Sequence, residues 1–178
     1  MKKTIVAFGA SNSSNSINKQ FALYAANQLN NATVNALDLN DYEMPIYSID
    51  REQANGIPQL AKDFKAALNA ADGIIISFAE HNGAYSAAFK NIFDWISRIE
   101  KDVWHNKPML LLSTSPGGRG GQTALEIAVN KFKFMNSNTI ASFSLPSFGQ
   151  NFDANAGITD NALAATFKEQ LTTFANAL

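Results

Sequence analysis

The sequence predicts an α/β sandwich of three layers, with helices on both faces of a five-stranded parallel sheet. Three observations predict it. Apolar runs alternate with segments of helical period five times along the chain, and strands that alternate with helices build parallel sheets with right-handed crossovers. The runs are almost continuously apolar, the pattern of strands covered on both faces. The length of 178 residues is too short for an eightfold barrel, which takes about 250.

The elements follow in order. Thr4–Phe8 is an apolar run with β-branched residues that ends at Gly9, a strand buried on both faces. From Ser16 to Leu29, apolar residues at Ile17, Phe21, Tyr24, Ala25 and Leu29 keep helical period. Thr33–Leu39 is a second strand, followed by a loop carrying Pro45, Gly56 and Pro58. Pro58 opens a helix to Ala70, at the first helical position, where a missing N–H is tolerated. Gly73–Phe78 is the third strand, and Ala84–Ile99 a helix with Phe89, Ile92, Phe93 and Ile96 on one face. That face, with Trp95, either packs on the sheet or pairs with its copy in a dimer. Pro108–Ser113, Gly121–Met135 and Thr139–Phe143 read as strand, helix and strand. A polar loop, Asn151–Gly157, precedes a last helix, Thr159–Leu178, capped by Thr159 or Asp160. No repeat, low-complexity linker or composition break divides the chain, so residues 1–178 read as one domain.

Composition narrows the function. The chain has no cysteine, which excludes disulfides, thiolate nucleophiles, zinc–thiolate sites and iron–sulfur clusters. Fourteen Lys and Arg against 15 Asp and Glu give a formal net charge of -1, without the basic stripe of a nucleic-acid-binding protein. The apolar run after Lys2-Lys3 breaks early into a Ser/Asn segment, short of a secretory signal. No stretch approaches the 18 or so apolar residues of a membrane span. A cytoplasmic protein is expected.

In open α/β sheets, ligands bind outside the carboxyl ends of the strands. Three loops at that edge have unusual composition. The first, Gly9–Asn18, carries Ser11, Asn12, Ser13, Ser14, Asn15 and Ser16 into a helix start. Helix N-termini offer free N–H groups and partial positive charge, so this loop suits a phosphate; equally, it suits an ordinary Ser/Asn cap. It contains neither the dinucleotide-binding G-x-G-x-x-G nor the P-loop pattern. The second, Ala79–Ser86, sets Glu80, His81, Asn82 and Gly83 at the exit of an apolar strand, as contacts to a planar heterocycle or as a plain turn. The third, Ser113–Gly121, holds four glycines, Pro116 and Arg119, so its backbone can approach a ligand closely. One phosphate site and two ring-contacting loops describe a mononucleotide with an extended aromatic group, for which FMN is the candidate. No histidine or acidic cluster has metal-ligand spacing, and no G-x-S-x-G elbow is present.

These segments resemble the NADPH-dependent FMN reductase family, from Ile5 to about Phe143. Gly9-Ala10-Ser11-Asn12 with Ser16-Ile17-Asn18 is similar to the family's Gly-Ser-x-Arg-x-x-Ser-x-Asn loop, and Asp38–Tyr47 to its segment after strand two. Ala79-Glu80-His81-Asn82-Gly83 with Lys90–Trp95 resembles Pro-Glu-Tyr-Asn followed by Lys-Asn-Ala-Ile-Asp-Trp; Ser115–Gly118 resembles a Ser-Pro-Gly loop. The resemblance implies a flavodoxin-like fold with strand order 2-1-3-4-5. It implies an oxidoreductase in which NAD(P)H gives a hydride through bound FMN to a quinone, azo, flavin or similar small-molecule acceptor, in ping-pong order. Ser11, Ser16, Ile17 and Asn18 would hold the phosphate. Ala79, Glu80, His81, Asn82 and Gly83 would meet the ring and ribityl chain, with Ser115, Pro116, Gly117 and Gly118 on the ring's other side. No side chain is assigned as catalytic acid or base. A homodimer or homotetramer is implied, with no nucleic-acid or membrane partner. Asn12 stands where the family has Arg, Ala10 where it has Ser and Ala79 where it has Pro. The rival reading is a flavodoxin-type electron carrier or FMN-binding module, but such carriers are strongly acidic and dock by charge.

Overall fold

The computed structural model describes residues 1–178. Its elements run β1 (Lys3–Ala10), α1 (Ile17–Asn27), β2 (Ala32–Ala36), a 3-10 turn (Leu39–Tyr42), α2 (Ile49–Asn55) and α3 (Gln59–Ala70). Then come β3 (Gly73–Phe78), the short strands β4 (Glu80–His81) and β5 (Ala84–Tyr85), α4 (Ala87–Ile99), β6 (Met109–Thr114) and α5 (Gln122–Met135). The chain ends with β7 (Ile140–Leu145), α6 (Phe148–Asn151), β8 (Phe152–Asp153), β9 (Gly157–Ile158) and α7 (Asn161–Ala175). β1, β2, β3, β6 and β7 form one parallel sheet in the order β2-β1-β3-β6-β7. With the hairpin strands left out, this is the expected 2-1-3-4-5 order of a flavodoxin-like fold.

The sheet is buried because its strands are apolar on both faces. Val6, Phe8, Ile74, Ile76, Phe78 and Leu111 point to one side, where α3, α4 and α5 cover them. Ile5, Ala7, Ile75, Leu110 and Leu112 point to the other, under α1 and α7. Alternate residues therefore feed opposite cores, where a polar residue without a partner is costly; the buried Ser113 hydroxyl in β6 is one that has none. Trp95 settles the choice left open for the α4 face. It is 1% exposed, its indole N–H donates to the Pro45 carbonyl at 2.7 Å, and Tyr47 packs edge-on against it. The face packs within its own chain.

Pro58 stands at the cap of α3, with ψ 144°, one residue before the first helical position expected for it. Four segments also differ from expectation, each for a local reason. The second strand stops at Ala36, because the Asp38 carboxylate accepts from the Asn40 backbone and pairs with Lys19, turning the chain into the 3-10 segment. The loop after it contains α2, which buries no residue and so shows no apolar period; its Ser48 cap and Gly56 terminus define it instead. The helix placed from Ala84 begins at Ala87, since Asn82 and Gly83 have φ of 52° and 75° and close a β4–β5 hairpin. Asn-Gly is the pair that a two-residue turn with positive φ at both positions favours. The loop expected at Asn151–Gly157 forms the β8–β9 hairpin, where Asp153 accepts from the N–H groups of Asn155 and Ala156. Asp160 is the cap of α7.

α1 lies close against the end of β1. A Cβ on Gly9 would sit 2.4 Å from the backbone nitrogen of Lys19, so only glycine fits. At the amino ends of the strands, Lys65 is buried under the loop after α4. It donates to the carbonyls of Asp102 and Val103 and pairs with Glu100, which also bonds His105 at 2.6 Å. The bond to His105, and then Lys65, hold the Glu100 carboxyl below its usual range.

Gly9→Ala will lower the unfolding free energy by about 1–3 kcal/mol or more, read by urea denaturation, because both clashing partners are backbone. Because the folded carboxyl of Glu100 titrates below its unfolded value, its contribution is complete above about pH 4.3 and fades as pH falls through the depressed value. Melting temperature against pH will therefore drop more steeply on the acid side for the wild type than for Glu100→Gln.

Candidate functional site

The carboxyl edge is organised by the first turn of α1. Ser16 caps the helix by accepting from the Lys19 N–H at 3.1 Å. The N–H groups of Ile17 and Asn18, at the first two helical positions, have no intrahelical acceptor. Asn18 is 3% exposed, and its amide makes three hydrogen bonds. Its oxygen accepts from the Ser77 hydroxyl at 2.7 Å and the Thr114 N–H at 3.0 Å, and its NH2 donates to the Thr114 carbonyl at 3.1 Å. One side chain thus ties α1 to the ends of β3 and β6. Ser86, the cap of α4, donates to the Ala10 carbonyl at 2.8 Å and brings that helix to the end of β1.

Around this turn lies a cavity of about 200 Å³. Ser11, Ser13, Asn15, Ser16, Ile17 and Asn18 line it from the first loop; Ala79, Glu80 and His81 from the second; Thr114, Ser115 and Pro116 from the third. No Lys or Arg lines it. The oxygens of Ser11 and Ser16 accept from the N–H groups of Ser13 and Lys19. A hydroxyl whose oxygen accepts still has its hydrogen to donate. The cavity therefore offers hydroxyl hydrogens beside the unpaired N–H groups of a helix N-terminus, an arrangement that receives an anion without a cation. A larger cavity, about 680 Å³, lies at the opposite end against Lys3, Ala32 and α7, away from all three loops.

The hairpin and the glycine loop flank this cavity. Glu80 is turned towards α5, where one carboxylate oxygen accepts from the Ala124 N–H at 3.1 Å. At the root of the hairpin, Tyr85 packs on Phe78 and Phe89. Its hydroxyl is buried without a partner, and burial pushes its pKa up to about 12. The glycine loop is anchored by the Ser147 N–H on the Gly117 carbonyl, the Phe148 N–H on the Ser115 carbonyl and the Ser144 hydroxyl on the Gly120 carbonyl. Arg119 is exposed and donates to the Thr123 hydroxyl at 2.8 Å, outside the cavity.

The structure brings together nine of the thirteen residues expected at the site: Ser11, Ser16, Ile17, Asn18, Ala79, Glu80, His81, Ser115 and Pro116. Asn82 and Gly83 lie at the hairpin tip, and Gly117 and Gly118 are exposed on the glycine loop; none of the four lines the cavity. Ser13, Asn15 and Thr114 also line it. The first two stand in the Ser/Asn run, but sequence does not show which of its residues turn inward. Thr114 is placed by Asn18, 96 residues away in the chain, so no local pattern marks it.

Fold and site define the class: a flavodoxin-like sandwich whose carboxyl edge presents an anion-receiving cavity beside two flanking loops. The chain belongs to the NADPH-dependent FMN reductase family, whose model matches residues 3–150. It is similar to an NADPH:quinone oxidoreductase of Arabidopsis thaliana, 29% identical over 131 residues that cover 72% of this chain and 66% of that protein. The flavoenzyme NAD(P)H:(acceptor) oxidoreductase FerB of Paracoccus denitrificans superposes with a TM-score of 0.75 at 22% identity, covering 98% of this chain and 96% of that one. An FMN-dependent NADH-azoreductase of Bacillus anthracis, in complex with FMN, superposes with a TM-score of 0.60 at 15% identity over 99% of both chains. At these identities the two structures share the fold.

Asn18→Leu will leave the Thr114 N–H, the Thr114 carbonyl and the Ser77 hydroxyl buried without their partner. A loss of about 3 kcal/mol or more is expected, since each of the three orphaned groups costs about 1–3, measured by equilibrium unfolding.

Proposed function

We propose that this chain is an FMN-dependent NAD(P)H oxidoreductase, with the phosphate of FMN received at the first turn of α1. The observation that carries this reading is the convergence of three loops, from the ends of β1, β3 and β6, on a cavity lined by donors at a helix N-terminus. The donor set fits the group. Hydroxyl hydrogens of Ser11 and Ser16 and the N–H groups of Ile17 and Asn18 suit phosphate oxygens, as does the helix dipole. A cavity of about 200 Å³ is smaller than pockets that enclose a whole ligand, about 300–1,000 Å³. That size suits the phosphate end, with the flat ring across the open side between Glu80–Gly83 and Ser115–Gly118.

Bound FMN supplies hydride chemistry, taken up from a nicotinamide dinucleotide and passed on to a quinone, azo, flavin or similar acceptor in ping-pong order. This chain's residues supply position and electrostatics. Asn18 holds the phosphate-receiving turn at the sheet edge, through bonds to Ser77 and Thr114. Its amide oxygen and one amide hydrogen are engaged by those strands, which leaves its backbone N–H and its second amide hydrogen for a ligand. With no Lys or Arg lining the cavity, hydroxyl, amide and backbone donors answer the phosphate charge. Residues 1–178 would act as one domain of a cytoplasmic homodimer or homotetramer, and light scattering after gel filtration tests that assembly.

The purified protein is expected to take up FMN and to oxidise NADH or NADPH with quinone, azo or flavin acceptors. A protein that takes up no added FMN overturns the reading, and one that binds FMN without turning over NAD(P)H returns it to an electron carrier. Ser16→Ala removes a charge-assisted bond to phosphate, worth about 1.5–3 kcal/mol. Titration should show FMN affinity reduced about tenfold or more.

A further inference from the structure

We infer that Glu80 is a positioning residue: it caps α5 from the β4–β5 hairpin, and so joins the hairpin, the glycine loop and that helix into one rigid flank of the site. This rests on the flavin reading for its purpose, but not for its geometry.

α5 begins without a local cap. Its cap position is Gly121, in the left-handed region at φ 74°, which has no side chain to accept from the first turn. That first turn has no acidic residue of its own. A helix start leaves four N–H groups without intrahelical partners, and an oxygen acceptor there is worth about 1 kcal/mol. The Ala124 N–H finds that acceptor in Glu80, 44 residues earlier in the chain. A carboxylate at a helix N-terminus also meets the positive end of the dipole.

The position of Glu80 gives the contact its consequence. Glu80 is the first residue of β4 and pairs with Tyr85 across the hairpin, so a hold on its side chain is a hold on the hairpin root. Further contacts join the same parts. A Cβ on Gly83 would stand 3.9 Å from the Thr123 methyl, so the hairpin tip lies over the start of α5. Arg119 bonds Thr123, and Ser144 holds the carbonyl of Gly120 from β7. Two loops that would otherwise move independently are thereby fixed at a common spacing, the spacing that a planar ring between them requires. Glu80 lines the cavity, but it acts on a ligand through the backbone it holds.

The test compares Glu80→Ala with Glu80→Gln in the full-length protein. The alanine variant removes the acceptor; the glutamine variant keeps an oxygen and loses the charge. In protein without added FMN, amide hydrogen exchange over residues 122–125 should accelerate about 10–100-fold in Glu80→Ala, the loss of a charge-assisted hydrogen bond. It should rise no more than about fivefold in Glu80→Gln, the loss of a dipole term alone. FMN affinity should follow the same order, weakened in the alanine variant and largely rescued in the glutamine variant. Unchanged exchange in Glu80→Ala overturns the inference, and so does a glutamine variant as impaired as the alanine one, since charge would then matter and acceptance would not. Wild-type protein that takes up no FMN defeats the flavin reading, while the exchange comparison still decides whether Glu80 holds α5.

Discussion

The carboxyl edge of this molecule depends on one side chain amide. Asn18 leaves α1 to bond Ser77 at the end of β3 and both backbone groups of Thr114 at the end of β6. Those bonds can form only because the helix start lies against β1, and it lies there because residue 9 has no Cβ. The helix N-terminus is therefore held at the sheet edge, where its unpaired N–H groups face a cavity instead of bulk water. An amide suits this junction better than a charge would: it supplies both an acceptor and a donor, and its burial leaves no ion uncompensated.

Around that junction, helix caps also connect separate parts of the edge. Ser86 caps α4 and at the same time donates to the end of β1. Glu80 meets the first turn of α5 from a hairpin built far earlier in the chain. Ser16 caps α1, and its oxygen accepts a backbone N–H while its hydrogen points to no protein acceptor. The starts of α1, α4 and α5 are thus each tied to a neighbouring loop or strand.

The two cores behind it explain why the site can be so polar. Phe8, Phe64, Phe78, Phe89, Phe93, Trp104 and Phe132 interlock on one side of the sheet, and Phe21, Tyr24, Phe143 and Phe167 on the other. Aromatic pairs at these spacings add to the stability that burial provides. The aromatic cores supply most of the burial, so the carboxyl edge can keep some hydroxyls and N–H groups unpaired for a ligand.

The sequence by itself determined the layer architecture, the parallel sheet and the edge where ligands gather. Continuous apolar runs such as Gly73–Phe78 and Met109–Ser113 have no other use than strands covered on both faces. It also marked the Ser/Asn loop and the glycine loop, because their composition is unusual for the turns they make. It did not mark α2, which buries nothing, and the Asn-Gly hairpin was concealed within a segment that otherwise reads as turn and helix start. Only tertiary structure decided the roles inside the site. Whether Asn18 and Glu80 face a ligand or hold the scaffold depends on partners 96 and 44 residues distant. A hydrogen bond is set by position in space, and spacing along the chain carries no information about partners brought together by the sheet.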